Sequence, residues 1–204
     1  STIDKHIGQF YAEFIHPYVG DYPIQSPPAD PINRFWPALG NHDWDTIECD
    51  ELGNCAGAYF DYFTLPGNER YYDVLESPVH LFLLDSDERE PDGIDGDSVQ
   101  AQWLEAQLAA STAEWNIVVL HHAPYSSFRH GPSERLQWPY QEWGADVVIS
   151  GHDQSYERLI IDGVVYYQVV MTLPSELSEL ALSNRELLGG LLPKSAWSSL
   201  DRSI

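Results

Sequence analysis

Three stretches of this chain are almost wholly apolar, and each stops abruptly at a histidine. Phe35-Trp36-Pro37-Ala38-Leu39 runs into Gly40-Asn41-His42-Asp43. The stretch Trp115–His121 carries Ile117-Val118-Val119-Leu120 and ends in His121-His122-Ala123-Pro124. Asp146–Ser150 (DVVIS) ends in Gly151-His152-Asp153. Short apolar runs bounded by turn residues predict buried strands. A fourth run, Val79–Leu84, predicts a central one. Strands of a layered α/β sheet bring their carboxyl ends to one edge, where ligands bind. Each histidine alone reads as an ordinary loop histidine, but three strand ends of this kind can bring imidazoles together.

The remaining pattern fills in the elements. Ile3, Ile7, Phe10, Phe14 and Tyr18 recur at helical spacing and predict an amphipathic helix over Ser1–Tyr18, with Ser1 or Thr2 as cap and Pro17 at its end. Val19–Pro31 is a proline-rich loop, and Ala58–Phe63 reads as a short strand or turn. Arg70–Glu76 and Val79–Ser86 are strands joined at Ser77-Pro78. Glu88–Asp97 is acidic, without the spacing of a calcium loop, and reads as a solvated turn. Ser98–Ala110 is a helix with Val99, Trp103, Leu104 and Leu108 on one face, and Ser133–Trp143 is helical with a break or end at Pro139. Tyr156–Ile161 and Val164–Val170 flank Asp162-Gly163, a type I′ hairpin signal. His80 lies inside an apolar strand and is expected to be structural. Residues 1–173 read as one domain and 174–204 as a carboxyl-terminal tail.

Composition then narrows the functional classes. The chain has 204 residues, 43% of them hydrophobic, enough for a real core. Its net charge is −22, from 32 acidic against 10 basic residues. This acidic chain repels nucleic acid and anionic membrane, so neither is expected as a partner. It repels phosphate esters as well, so phosphate chemistry would need bound cations. No apolar run reaches membrane-spanning length, and no signal peptide is present in this chain, which starts at Ser1. Cys49 and Cys55 lie in one polar loop. A local disulfide would suit a secreted or periplasmic setting, and two free thiols are the other reading.

At this point the ordered motifs resemble the calcineurin-like metallophosphoesterases, and within them the purple acid phosphatase-like branch. The residues that carry the resemblance are Gly40-Asn41-His42-Asp43, His122-Ala123-Pro124 with Tyr125-Ser126-Ser127, His130-Gly131-Pro132, and Gly151-His152-Asp153-Gln154 with Tyr156-Glu157-Arg158. The resemblance covers roughly residues 1–170. It implies an α/β (α+β) fold, a four-layer α/β/β/α sandwich that is incomplete here at its amino terminus, with metals at the carboxyl edge. It also implies a divalent transition metal (Fe, Zn or Mn) held by Asn41, His122 and His152. The family centre is dinuclear, and one site is expected intact here. His42 matches the histidine that stabilises the transition state or protonates the leaving oxygen. Asn41, His130 and Tyr156 match substrate-contacting positions, with His130 also counted as catalytic.

The departures are specific. The family's two upstream aspartate motifs are not in this sequence, and the last motif carries Gln154 where the family has histidine. Gln154 is thus at most a weak ligand of the first metal, because an amide oxygen is a poorer donor to transition metals than imidazole. The expected function is a metal-dependent phosphoric ester hydrolase of the acid phosphatase type, acting on a small phosphate ester by attack of a metal-activated hydroxide. The alternative is a truncated or degenerate non-catalytic relative that binds a single metal or phosphate.

Overall fold

The structure is a computed structural model that describes residues 2–24 and 32–169. These fall within one compact unit spanning Ser1–Val169, and the tail expected at 174–204 lies outside the described residues. A two-stranded ribbon, β1 (Glu48–Cys49) and β2 (Cys55–Ala56), is followed by a short helix α1 (Ala58–Tyr62). Next come β3 (Tyr72–Glu76), β4 (Val79–Leu83), α2 (Val99–Ala110), β5 (Trp115–Val119), α3 (Tyr140–Trp143), β6 (Val147–Ser150), β7 (Glu157–Ile161) and β8 (Val164–Gln168). The last six strands form one mixed sheet in the order β3-β4-β5-β6-β8-β7. Its centre, β4-β5-β6-β8, is parallel, and β3 and β7 close the edges as antiparallel hairpin partners. No helix among the described residues is long and apolar enough to cross a membrane.

Strand alternation divides the core in two. Phe82, Leu84, Val118, Leu120, Val148 and Tyr166 point to one face, where Ala101, Leu104 and Leu108 of α2 cover them with Leu136, Trp138 and Tyr140. Leu81, Leu83 and Val119 point to the other face, against Leu39, Trp44, Tyr59, Tyr62 and Phe63. The α2 helix starts where expected, because the Ser98 hydroxyl accepts the Ala101 amide at 3.1 Å. Its buried face is Gln100, Ala101, Leu104 and Leu108, with Val99 exposed. The hairpin at Asp162-Gly163 has φ of 50° and 87°, as a type I′ turn requires. His80 is structural: its ring nitrogens meet Asp73 Oδ2 at 2.7 Å and Ser111 Oγ at 3.0 Å.

Three expectations fail. Phe35–Leu39 is half-buried, with Leu39 fully so, but is not a strand. Pro37 has no amide to give a ladder, and its carbonyl accepts the Tyr59 and Tyr72 hydroxyls at 3.0 and 2.6 Å. The amino-terminal helix is three short turns that end at Phe14, and Phe10 and Phe14 are exposed. Asp4 is buried instead, accepting Tyr18 and Tyr62 hydroxyls at 2.7 Å each and the Asp21 amide at 2.9 Å. Ala58–Tyr62 is a helix rather than a strand or turn, whereas Ser133–Trp143 breaks at Pro139 as expected, into a 3-10 turn and a short helix.

The acidic loop 88–97 is anchored rather than freely solvated. Arg70, 5% exposed, donates to both Glu90 carboxylate oxygens at 3.0 Å, to Asp92 Oδ2 at 2.6 Å and to the Gly53 carbonyl at 2.7 Å. It thereby ties the loop to the β1–β2 ribbon, which Cys49 and Cys55 close as a disulfide. Removing one partner of a buried pair leaves an uncompensated charge. Arg70→Ala should therefore lower unfolding stability in urea by about 3–5 kcal/mol. Arg135→Ala, which breaks the half-exposed pair with Asp95, should cost less than about 1 kcal/mol.

Candidate metal centre

The site is built where two parallel strands stop. In the β5–β6 pairing Val119 faces Ile149, and the Leu120 amide continues the ladder to the Ile149 carbonyl at 3.0 Å. One further bond, Gly151 amide to His121 carbonyl at 3.0 Å, holds the two strand extensions together. His121, His122 and His152 leave the sheet side by side. Their ligand atoms lie within 4.8 Å of one another, and they form the one such cluster of three metal-ligating side chains among the described residues.

The second half of the site comes from the loop after Leu39. Asn41 Oδ1 lies 2.9 Å from His121 Nε2, which is itself 3.0 Å from His152 Nδ1. The approach depends on Gly40, where an added Cβ would stand 3.1–3.2 Å from the His121 ring. No ladder holds this loop. Asp43 Oδ2 accepts the Gly40 amide at 2.9 Å, and Trp44 Nε1 donates to buried Asp85 at 2.8 Å. Arg89, paired with Asp87, donates to the Asn41 carbonyl at 2.7 Å. Burial pushes the Asp85 carboxyl up to about 8.

His122 has its tautomer set from behind. Its Nδ1 lies 3.0 Å from the Ser86 carbonyl, to which it donates, so Nε2 keeps its lone pair for a ligand. Burial, and then the neighbouring imidazoles, push His121 down to about 4. Burial also holds His122 and His152 below the ordinary imidazole range. Three neutral imidazoles near neutral pH are in the protonation state that metal ligation needs. His152 is held with φ of 70° and Gln154 with φ of 50°. The left-handed backbone at these positions costs on the order of 1 kcal/mol or more each. Asp153, between them, fixes the turn: its carboxylate accepts Ser126 Oγ at 3.0 Å, Gln168 Nε2 at 3.1 Å and the His130 amide at 2.9 Å.

The donor set fits a divalent transition metal. Three imidazole nitrogens and one amide oxygen suit zinc and its neighbours. The nearby carboxylates Asp43, Asp87 and Asp153 are all committed to other partners. His121 is the residue that the sequence reading left out of the ligand set. The doubled histidine at 121–122 was its only signal. His42, His130 and Gln154 line a cleft of about 370 Å³ over the cluster, together with Asn41, His152 and Arg129. His42 Nδ1 lies 3.2 Å from Asp45 Oδ2, and the His130 and His152 rings are 4.4 Å apart. Tyr156 is exposed and does not line the cleft.

One cluster predicts one tightly held ion. Elemental analysis after dialysis against zinc should give about one equivalent per chain, with the four donors acting together. Gly40→Ala should weaken zinc affinity by roughly tenfold or more, through displacement of His121, without loss of the fold by circular dichroism. Two stoichiometric ions would contradict the single-cluster geometry.

Comparison with known proteins adds the following. The sequence profile of the calcineurin-like phosphoesterases matches residues 5–156. A comparison with curated proteins returned no match. Among solved structures, the chain aligns with one described as GAP50, the anchor in the inner membrane complex of Plasmodium. The alignment has 19% identity and a TM-score of 0.45, and covers 65% of this chain. This chain spans 47% of the length of that one.

Proposed function

The chain belongs to the calcineurin-like phosphoesterase family, and from that premise we propose that it is an acid phosphatase-like phosphomonoesterase whose centre is the His121, His122, His152 and Asn41 cluster. The single observation that carries this reading is the convergence of the three imidazoles on Asn41 beneath a cleft that His42 and His130 line. Zn, Mn or Fe are the metals whose chemistry suits these donors. A bound divalent cation lowers the pKa of water and screens phosphoryl oxygens.

The chain's own residues do the rest. With Nδ1–H on Asp45, His42 holds a transferable proton at Nε2 when it is an imidazolium, and the leaving oxygen takes it there. His130 is positioned over His152 by the hydrogen bond its backbone amide donates to Asp153, where it contacts the phosphoryl group. The small phosphate ester is the expected substrate, with no nucleic acid or membrane as partner for so acidic a chain. The Cys49–Cys55 disulfide supports a secreted or periplasmic setting.

A second reading has a specific observation in its favour. Gln154 lines the cleft where the family motif has histidine, and only one ligand cluster forms among the described residues. On that reading the protein holds one metal or a phosphate and turns over little.

Hydrolysis of a chromogenic phosphate ester by the zinc- and manganese-loaded chain separates the two. On the first reading His42→Ala should lower kcat roughly a hundredfold or more at unchanged metal content. His152→Ala should lose metal and turnover together. Metal binding with no turnover under any loading would favour the second reading, and an unaffected His42→Ala would remove His42 from the mechanism.

A further inference from the structure

Arg129 is the one arginine or lysine among the described residues that lines the cleft. Arg70, Arg89 and Arg135 are in ion pairs, and Arg158 lies over the Tyr167 ring. Arg129 lines the cleft, and its side chain forms no hydrogen bond or ion pair with any described residue. The cleft's own carboxylate cannot answer it. Asp153 has a side chain 2% exposed, and its oxygens are occupied by Ser126, Gln168 and the His130 amide.

The free side chain rises from a fixed backbone. On one side, the Ser127 amide and hydroxyl bond the Glu157 carboxylate at 3.0 and 2.6 Å. On the other, the His130 amide is on Asp153, and the Gly131 amide closes a turn onto the Phe128 carbonyl at 3.0 Å. A guanidinium on a pinned loop is a pre-organised donor fork, and such a fork matches carboxylate or phosphate oxygens. Its place is the outer wall. Arg129 and its neighbour Phe128 are exposed, whereas the imidazole cluster lies deeper. What meets Arg129 is therefore the part of a substrate that projects away from the reacting phosphoryl group.

We infer that Arg129 is a specificity-determining residue that selects phosphate monoesters whose leaving group carries a second oxyanion. This rests on the hydrolase reading and adds the substrate class to it. A leaving group with a carboxylate finds at this rim a guanidinium that no described carboxylate neutralises, so the contact gives selectivity as well as attraction.

The test uses two non-hydrolysable ligands that differ by one terminal carboxylate, 3-phosphonopropionate and propylphosphonate. Calorimetry on the zinc-loaded full chain measures both, with inorganic phosphate as reference. The expected result is a preference of about fivefold or more for the carboxylate ligand, shrinking at high salt. Arg129→Ala should bring the ratio to within about twofold, and Arg129→Lys should keep part of it, because the charge remains without the fork. Equal affinities in the parent chain, or a preference that survives Arg129→Ala, would overturn the inference and leave the hydrolase reading standing. An equal loss for both ligands in Arg129→Ala would place the guanidinium on the phosphoryl group and overturn it too. Failure of phosphate and both phosphonates to bind the zinc-loaded chain would overturn the hydrolase reading, and the inference with it.

Discussion

The parallel pairing of β5 with β6 is the constraint on which the site depends. It sets Val119 opposite Ile149, and two more backbone bonds carry that alignment past the ends of the strands. Side chains alternate along a strand, so a slip of one residue would send His121 or His152 to the wrong face. The register is secured well away from the site by Val118 and Val148, both buried against α2 and its neighbours. Hydrophobic packing thus fixes the position of polar donors that contribute nothing to the packing.

The charge of the molecule follows the same economy. With few basic residues against 32 acidic ones, three arginines hold distinct structural places. Arg70 neutralises the buried Glu90 and holds the acidic loop. Arg89 sits on Asp87 and over the Trp44 ring while it steadies the Asn41 carbonyl. Arg135 ties Asp95. The acidic stretch 88–97, which composition alone describes as solvated surface, is therefore a ligated loop that backs the site.

Much of this was legible in the sequence. The parallel strands, the helix from Ser98, and the Asp162-Gly163 hairpin all follow from period and turn chemistry, which are local signals. The histidines that close the apolar runs pointed to the candidate metal centre because each motif sits at a strand end or loop that the apolar runs define. What was not legible depends on distant partners. Phe35–Leu39 has the composition of a strand, but Tyr59 and Tyr72 take the Pro37 carbonyl from far along the chain. Asp4 has no apolar character, yet three partners from elsewhere bury it and rotate the amino-terminal segment away from its expected face. His121 stands beside His122, and sequence cannot say that the absence of a side chain at Gly40 opens room for its ring.

The manner in which the Asn41 loop is held has a consequence for how the molecule opens. The nitrogen donors hang from central strands, whose exchange with solvent requires the sheet to come apart. The oxygen donor sits on a segment outside the sheet, tied to it by side-chain bonds from Trp44, Arg89 and the two tyrosines rather than by a ladder. Such a segment can unfold locally at a smaller free energy than the sheet beneath it. The two halves of the centre thus belong to cooperative units of different stability. An ion bound to both halves couples them by mass action, so that protection of the loop rises with the free ion concentration while the sheet is little changed.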